Sequence, residues 1–67
     1  MTFGEKIKEA RKSQKLTLQD LSKKSGLSAI TISHIEKNNH KPSSLSVMKL
    51  CRALDLNYDE LWDLSTR

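Results

Sequence analysis

Of the residues that usually staple a small protein or let its backbone turn sharply, this chain has almost none: one cysteine, Cys51, one proline, Pro42, and two glycines, Gly4 and Gly26. A lone cysteine excludes an intramolecular disulfide and fits a reducing compartment. Neither His34 nor His40 stands in a CxxC or HExxH arrangement, and His34 has no second ligand one turn away, so no metal is implied. Two glycines cannot build a loop that cradles phosphates. The carboxylates are scattered over helix surfaces and Cys51 falls within an apolar stripe, which makes it a small core residue rather than a nucleophile. No catalytic residue, cofactor or enzyme activity is expected. No apolar run approaches the roughly 20 residues of a membrane span, and Met1-Thr2-Phe3-Gly4 lacks the apolar segment of a signal peptide. The expectation is a soluble, cytoplasmic protein. No stretch alternates as a strand does, and linkers, repeats and low-complexity tracts are missing. Residues 1–67 are therefore expected to form one domain, whose core supplies only about 3–5 kcal/mol without staples.

What the chain does have is uneven charge and helical spacing. The net charge is +4, but residues 1–41 hold nine Lys/Arg against four Asp/Glu, whereas residues 42–67 hold three against four. A basic front half suits a polyanion-facing surface, with an ordinary solvated face as the plain alternative. Phe3, Ile7 and Ala10 recur at i, i+4, i+7 and predict an amphipathic helix from Phe3 to Gln14, with Arg11 beside its apolar stripe. Thr17, with Asp20 three residues on, caps a second helix that ends at Gly26 and leaves first-turn N–H groups able to meet a phosphate. Ser28 caps a third helix, at about residues 28–37, which carries isoleucines on both sides. At about 100° per residue, Ile32 and Ile35 share the inner face, while Ile30, Ser33, His34 and Lys37 share the outer one. Asn38 suits a left-handed cap, and Pro42 stops the helix from continuing. Ser43 opens a fourth helix to Leu54 with Val47, Leu50, Cys51 and Leu54 inward. Asn57 and Glu60 cap a last helix, Tyr58 to Leu64, with Tyr58 and Leu61 inward. The fold class is all-α: five short helices, the second and third joined by a tight turn.

Several blocks carry a resemblance that covers nearly the whole chain without insertions. They are Thr17-Leu18-Gln19-Asp20-Leu21, Gly26-Leu27-Ser28, Ile32-Ser33-His34-Ile35-Glu36, Lys41-Pro42-Ser43, and Ala53 to Leu61. The sequence resembles the Cro and phage-repressor family of helix-turn-helix domains, the lambda-repressor-like or xenobiotic-response-element type. The resemblance implies a sequence-specific DNA-binding regulator, usually a homodimer on a palindromic operator, with the third helix in the major groove. It places Ala29, Ile30 and His34 at base edges, with Ser28, Thr31 and Ser33 at the margin. Glutamines common in phage repressors are absent there. Ala29 and Ile30 can pack on thymine methyls, and Ser33 and His34 can donate or accept, so a half-site containing thymine is expected. The alternative for Ile30 is that it lies against another helix.

The resemblance also assigns the phosphate contacts to Thr17, Leu18 and Gln19 and to the loop Lys37, Asn38, Asn39, His40 and Lys41, with Lys12 and Lys15 nearby. Leu18 stands where the family commonly has a glutamine, so anchoring shifts to the backbone and the loop. Arg11 and Glu36 match an arginine and a glutamate that often pair beneath the motif. Trp62, Leu64, Tyr58 and Met48 offer more apolar surface than a small monomer needs, which suits a two-fold contact through Trp62 and Leu64. Alternatively, Trp62 covers its own core. No pocket for a small-molecule effector and no sensor domain are visible, which suits a phage repressor, a restriction-modification controller or an antitoxin-like autorepressor. A competing reading is a helix-turn-helix fold that serves as a protein-interaction module with little DNA specificity.

Overall fold

Thr2, Thr17, Ser28, Ser43 and Asn57 each turn a side-chain oxygen onto the backbone N–H three residues on, and each such contact starts a helix. The computed structural model describes residues 2–39 and 41–66. The elements are α1 (Phe3–Ser13), α2 (Leu18–Ser25), α3 (Ala29–Glu36), α4 (Ser44–Leu54) and α5 (Tyr58–Ser65). Every regular element among the described residues is helical, in agreement with the all-α expectation.

Four helices stop where one residue takes positive φ: Lys15 (58°), Gly26 (80°), Asn38 (61°) and Asp55 (57°). The chain then folds back on the helix end. Leu16 N–H donates to Arg11 O at 3.0 Å, Asn39 N–H to His34 O at 2.9 Å and Leu56 N–H to Cys51 O at 3.0 Å. These bonds satisfy carbonyls that the helix itself leaves without partners.

Between the helices lies one core: Phe3, Ile7 and Ala10 from α1, Leu21 from α2, Ile32 and Ile35 from α3, Val47, Leu50, Cys51 and Leu54 from α4, and Leu61 from α5. Truncating one such buried Leu or Ile to Ala costs about 2–5 kcal/mol, a large share of what so small a domain can hold. Burial pushes the Cys51 thiol pKa up, which keeps it protonated and apolar. α3 packs on α1 and α2, and α4 joins α2 to α5. The core thus reaches α3 from one side only.

Tyr58 departs from expectation. It is 38% exposed, because Leu61 fills the inward position of α5. The Tyr58 ring instead stacks on Trp62, one turn on, at a centroid distance of 6.2 Å and an interplanar angle of 5°. Each ring shields one face of the other, which lowers the apolar area left in water without reaching the core.

Candidate nucleic-acid interface

The turn between α2 and α3 is locked by serines. At Gly26 the φ of 80° lies where glycine is favoured, and the Gly26 N–H donates to Ser22 O at 2.9 Å. Ser22 Oγ donates to Leu27 O at 2.6 Å, and the buried Ser25 accepts from Leu27 N–H at 3.1 Å. Leu27 packs against the core. The turn therefore has a fixed geometry that sets the angle between the two helices.

Two further locks hold the far end of α3. Arg11 donates from Nε to Glu36 Oε2 at 2.8 Å, from Nη2 to Glu36 Oε1 at 3.1 Å, and from Nη1 to Leu16 O at 2.8 Å. The guanidinium thereby joins α1, the loop before α2 and the last residue of α3, with both side chains largely buried. The Glu36 hydrogen bonds raise the Arg11 pKa still further, so the arginine stays charged throughout. The second lock is Asn38. Its Oδ1 accepts from Gly4 N–H and its Nδ2 donates to Thr2 Oγ1, both at 3.2 Å. A Cβ on Gly4 would stand 2.7 Å from Glu36 O, so only glycine lets α1 come this close.

Held in this way, α3 buries Ile32 and Ile35 and leaves Ile30 72% exposed. Ile30 does not lie against another helix. Ser28, Thr31 and Lys37 are exposed, while Ala29, Ser33 and His34 are half-buried. Ser28 Oγ accepts from Thr31 N–H at 3.1 Å and donates to Thr31 Oγ1 at 2.8 Å, so these two side chains already bond each other. The Nδ1 atom of His34 is buried, which turns one edge of the ring away from solvent.

At the start of α2, Thr17 and Gln19 lie at the surface, whereas the Leu18 side chain packs against the core. Leu18 can meet a phosphate only through its backbone, because its side chain carries no donor and packs partly buried against the core. Thr17 Oγ1 accepts from Asp20 N–H and Asp20 Oδ2 accepts from Thr17 N–H, both at 3.0 Å. Hydrogen bonds from Thr17, backbone first, hold the Asp20 pKa below the usual carboxylate range. An ionised carboxylate therefore stands beside the free first-turn N–H groups of Leu18 and Gln19.

In the loop after α3, Lys37, Asn39 and Lys41 are exposed, and the carboxamide of Asn38 is engaged with α1. His40 lies outside the described residues. On the opposite side Trp62 is 40% exposed, Met48 flanks a shallow groove with Arg52, Asp55, Leu56 and Tyr58, and Leu64 is half-buried against the core.

Sequence reasoning missed three of the positioning features. Thr2 and Glu5 form a reciprocal cap whose T-x-x-E spacing is readable. The Gln14 bond from Nε2 to Leu54 O at 2.7 Å and the Asn38 bridge to Gly4 join residues far apart in sequence and leave no local signal.

A short helix, a glycine turn and a second helix with one face in the core and the other in solvent define a helix-turn-helix protein with a lambda-repressor-like fold. The chain belongs to the helix-turn-helix family, whose model matches residues 7–61. It is 37% identical over 60 residues to an uncharacterized HTH-type transcriptional regulator, RghRB, of Bacillus subtilis, covering 88% of this chain and 43% of that one. It is 38% identical over 61 residues to the HTH-type transcriptional repressor RghR of the same organism, covering 90% and 45%. A third relative is the uncharacterized HTH-type transcriptional regulator y4dL of Sinorhizobium fredii, 38% identical over 52 residues, 78% of this chain and 26% of that one. The chain spans less than half the length of these relatives.

Proposed function

We propose that this chain binds double-stranded DNA sequence-specifically and regulates transcription, with α3 lying in the major groove. The observation that carries the reading is the outer face of α3: Ile30 is 72% exposed on a helix whose inner face is anchored by Ile32 and Ile35. That face lies between two sets of phosphate-binding groups. Thr17, Gln19 and the first-turn N–H groups of α2 stand on one side, and Lys37, Asn39 and Lys41 on the other. Ser28, Ala29, Ile30, Thr31, Ser33 and His34 are the base-facing set. Among them Ser28, Ile30 and Thr31 are exposed, and Ala29, Ser33 and His34 are half-buried. The names of the relatives, one of them a repressor, favour regulation by occupying an operator.

The partner on the acidic side is a second copy of this chain, joined through the stacked Tyr58 and Trp62 with Met48 beside them and Leu64 as a further contact. A two-fold axis there would set two α3 helices one DNA turn apart, about 34 Å, on a palindromic operator. Selecting bound sequences from random duplexes tests both parts. A consensus of two inverted half-sites about 10 base pairs apart is the expected result. Recovery of no consensus, with no binding at low salt, would favour a protein-interaction module instead.

A further inference from the structure

Resting on that reading of α3, we infer that Ile30 recognises the C5-methyl group of a pyrimidine in the major groove, so that a methyl on thymine and a methyl on cytosine contribute alike. Ile30 has neither donor nor acceptor in its side chain, and at 72% exposure it is the large apolar side chain most open to solvent among the described residues. The major-groove edges of the bases present donors and acceptors, with one apolar feature, the thymine methyl. Against a polar edge an isoleucine displaces water and returns no hydrogen bond, which costs free energy. Against a methyl group both surfaces leave water together. Only the second contact rewards this side chain.

Ile30 by itself does not distinguish which base carries the methyl. Thymine and 5-methylcytosine share the C5-methyl and differ at the 4-position, where one accepts and the other donates. Discrimination needs a fixed donor or acceptor beside the methyl contact. The Thr31 hydroxyl accepts from Ser28 Oγ at 2.8 Å and keeps its own hydrogen to donate, Ala29 has no polar side-chain atom, and Ser33 and His34 are half-buried, His34 with Nδ1 turned inward. Lys37 lies about two turns along, past the end of α3. Ile30 therefore registers the methyl, and any reading of the 4-position falls to a neighbour such as Thr31 or His34 and adds separately.

The experiment starts from the duplex obtained by selection. Each thymine of a half-site is replaced by deoxyuridine, which deletes only the methyl. At the position that responds, a C·G pair is compared with a 5-methyl-dC·G pair. The parent protein should lose about four-fold in affinity on deoxyuridine substitution at one position per half-site, and gain by about the same factor on methylating cytosine there. Ile30→Ala should abolish both differences while melting with the parent, since the side chain lies outside the core. If the duplex is bound specifically but neither methyl matters, the methyl contact is refuted and the DNA-binding reading stands. The methyl contact is equally refuted if both methyl effects persist in Ile30→Ala. If no duplex is selected at all, the underlying reading fails and the methyl contact with it.

Discussion

Arg11 donates three hydrogen bonds, two to Glu36 and one to Leu16 O, and so ties α1 both to the loop before α2 and to the end of α3. Removing it leaves the Glu36 carboxylate largely buried without its countercharge and the Leu16 carbonyl without its donor. Arg11→Ala should therefore cost about 3–5 kcal/mol, and in circular dichroism at room temperature the variant should be largely unfolded. Glu36→Gln keeps the volume and one acceptor but leaves the largely buried Arg11 charge without its partner, so it should also melt below the parent. An Arg11→Ala protein that melts with the parent would show that the pair does not hold the domain. Gly4 is the second such residue. Its missing Cβ is what lets α1 approach Glu36 O, so Gly4→Ala should cost about 1–3 kcal/mol by forcing the end of α3 away. Calorimetry of the variant would measure it.

Helix ends set the pH response of the elements. The Glu5 carboxylate, bonded by Thr2 N–H, and the Asp20 carboxylate, bonded by Thr17 N–H, both have pKa values below the usual range, with the backbone hydrogen bond as the largest cause. A carboxylate whose pKa is lower folded than unfolded stabilises the fold above the unfolded pKa and loses that contribution as pH falls through the folded one. Both groups are at the surface, where solvent weakens their charges, so the effect is modest. Thermal melts from neutral pH to about pH 3 should show stability falling through the carboxylate range, and Asp20→Asn should flatten part of that fall. Thr17→Ala should cost about 1 kcal/mol at neutral pH, the ordinary value of an N-cap. Unchanged acid sensitivity in Asp20→Asn would assign the fall to other groups.

At the scale of the molecule, the basic residues beside α3 and the Tyr58–Trp62 stack of α5 belong to different elements. The basic loops beside α3 predict that log affinity for DNA falls with log salt by about 0.9 for each phosphate neutralised. Lys37→Ala should reduce that slope by about one such step without changing the sequence selected. The Tyr58–Trp62 stack is the corresponding feature of the acidic half. Sedimentation should show the parent dimerising more tightly than Trp62→Ala, whereas equal association would exclude the tryptophan as anchor.

The chain by itself determined where the helices begin and which residues share a face. Ser, Thr and Asn caps act on N–H groups three residues away, and helical period places Ile32 with Ile35 and opposite Ile30. Those are local interactions, readable in any single stretch. The pairing of Arg11 with Glu36 was legible only through the family resemblance, because its partners are far apart in sequence. What only the tertiary structure decided is which outward residues stay outward and which polar groups are already engaged. Tyr58 shares an apolar arc with Leu61 but is left in solvent, Leu18 packs partly buried against the core, and Asn38 turns its carboxamide to Gly4 and Thr2. Period fixes directions around one helix axis, whereas the crossing of one helix on another decides how far along each direction the protein extends.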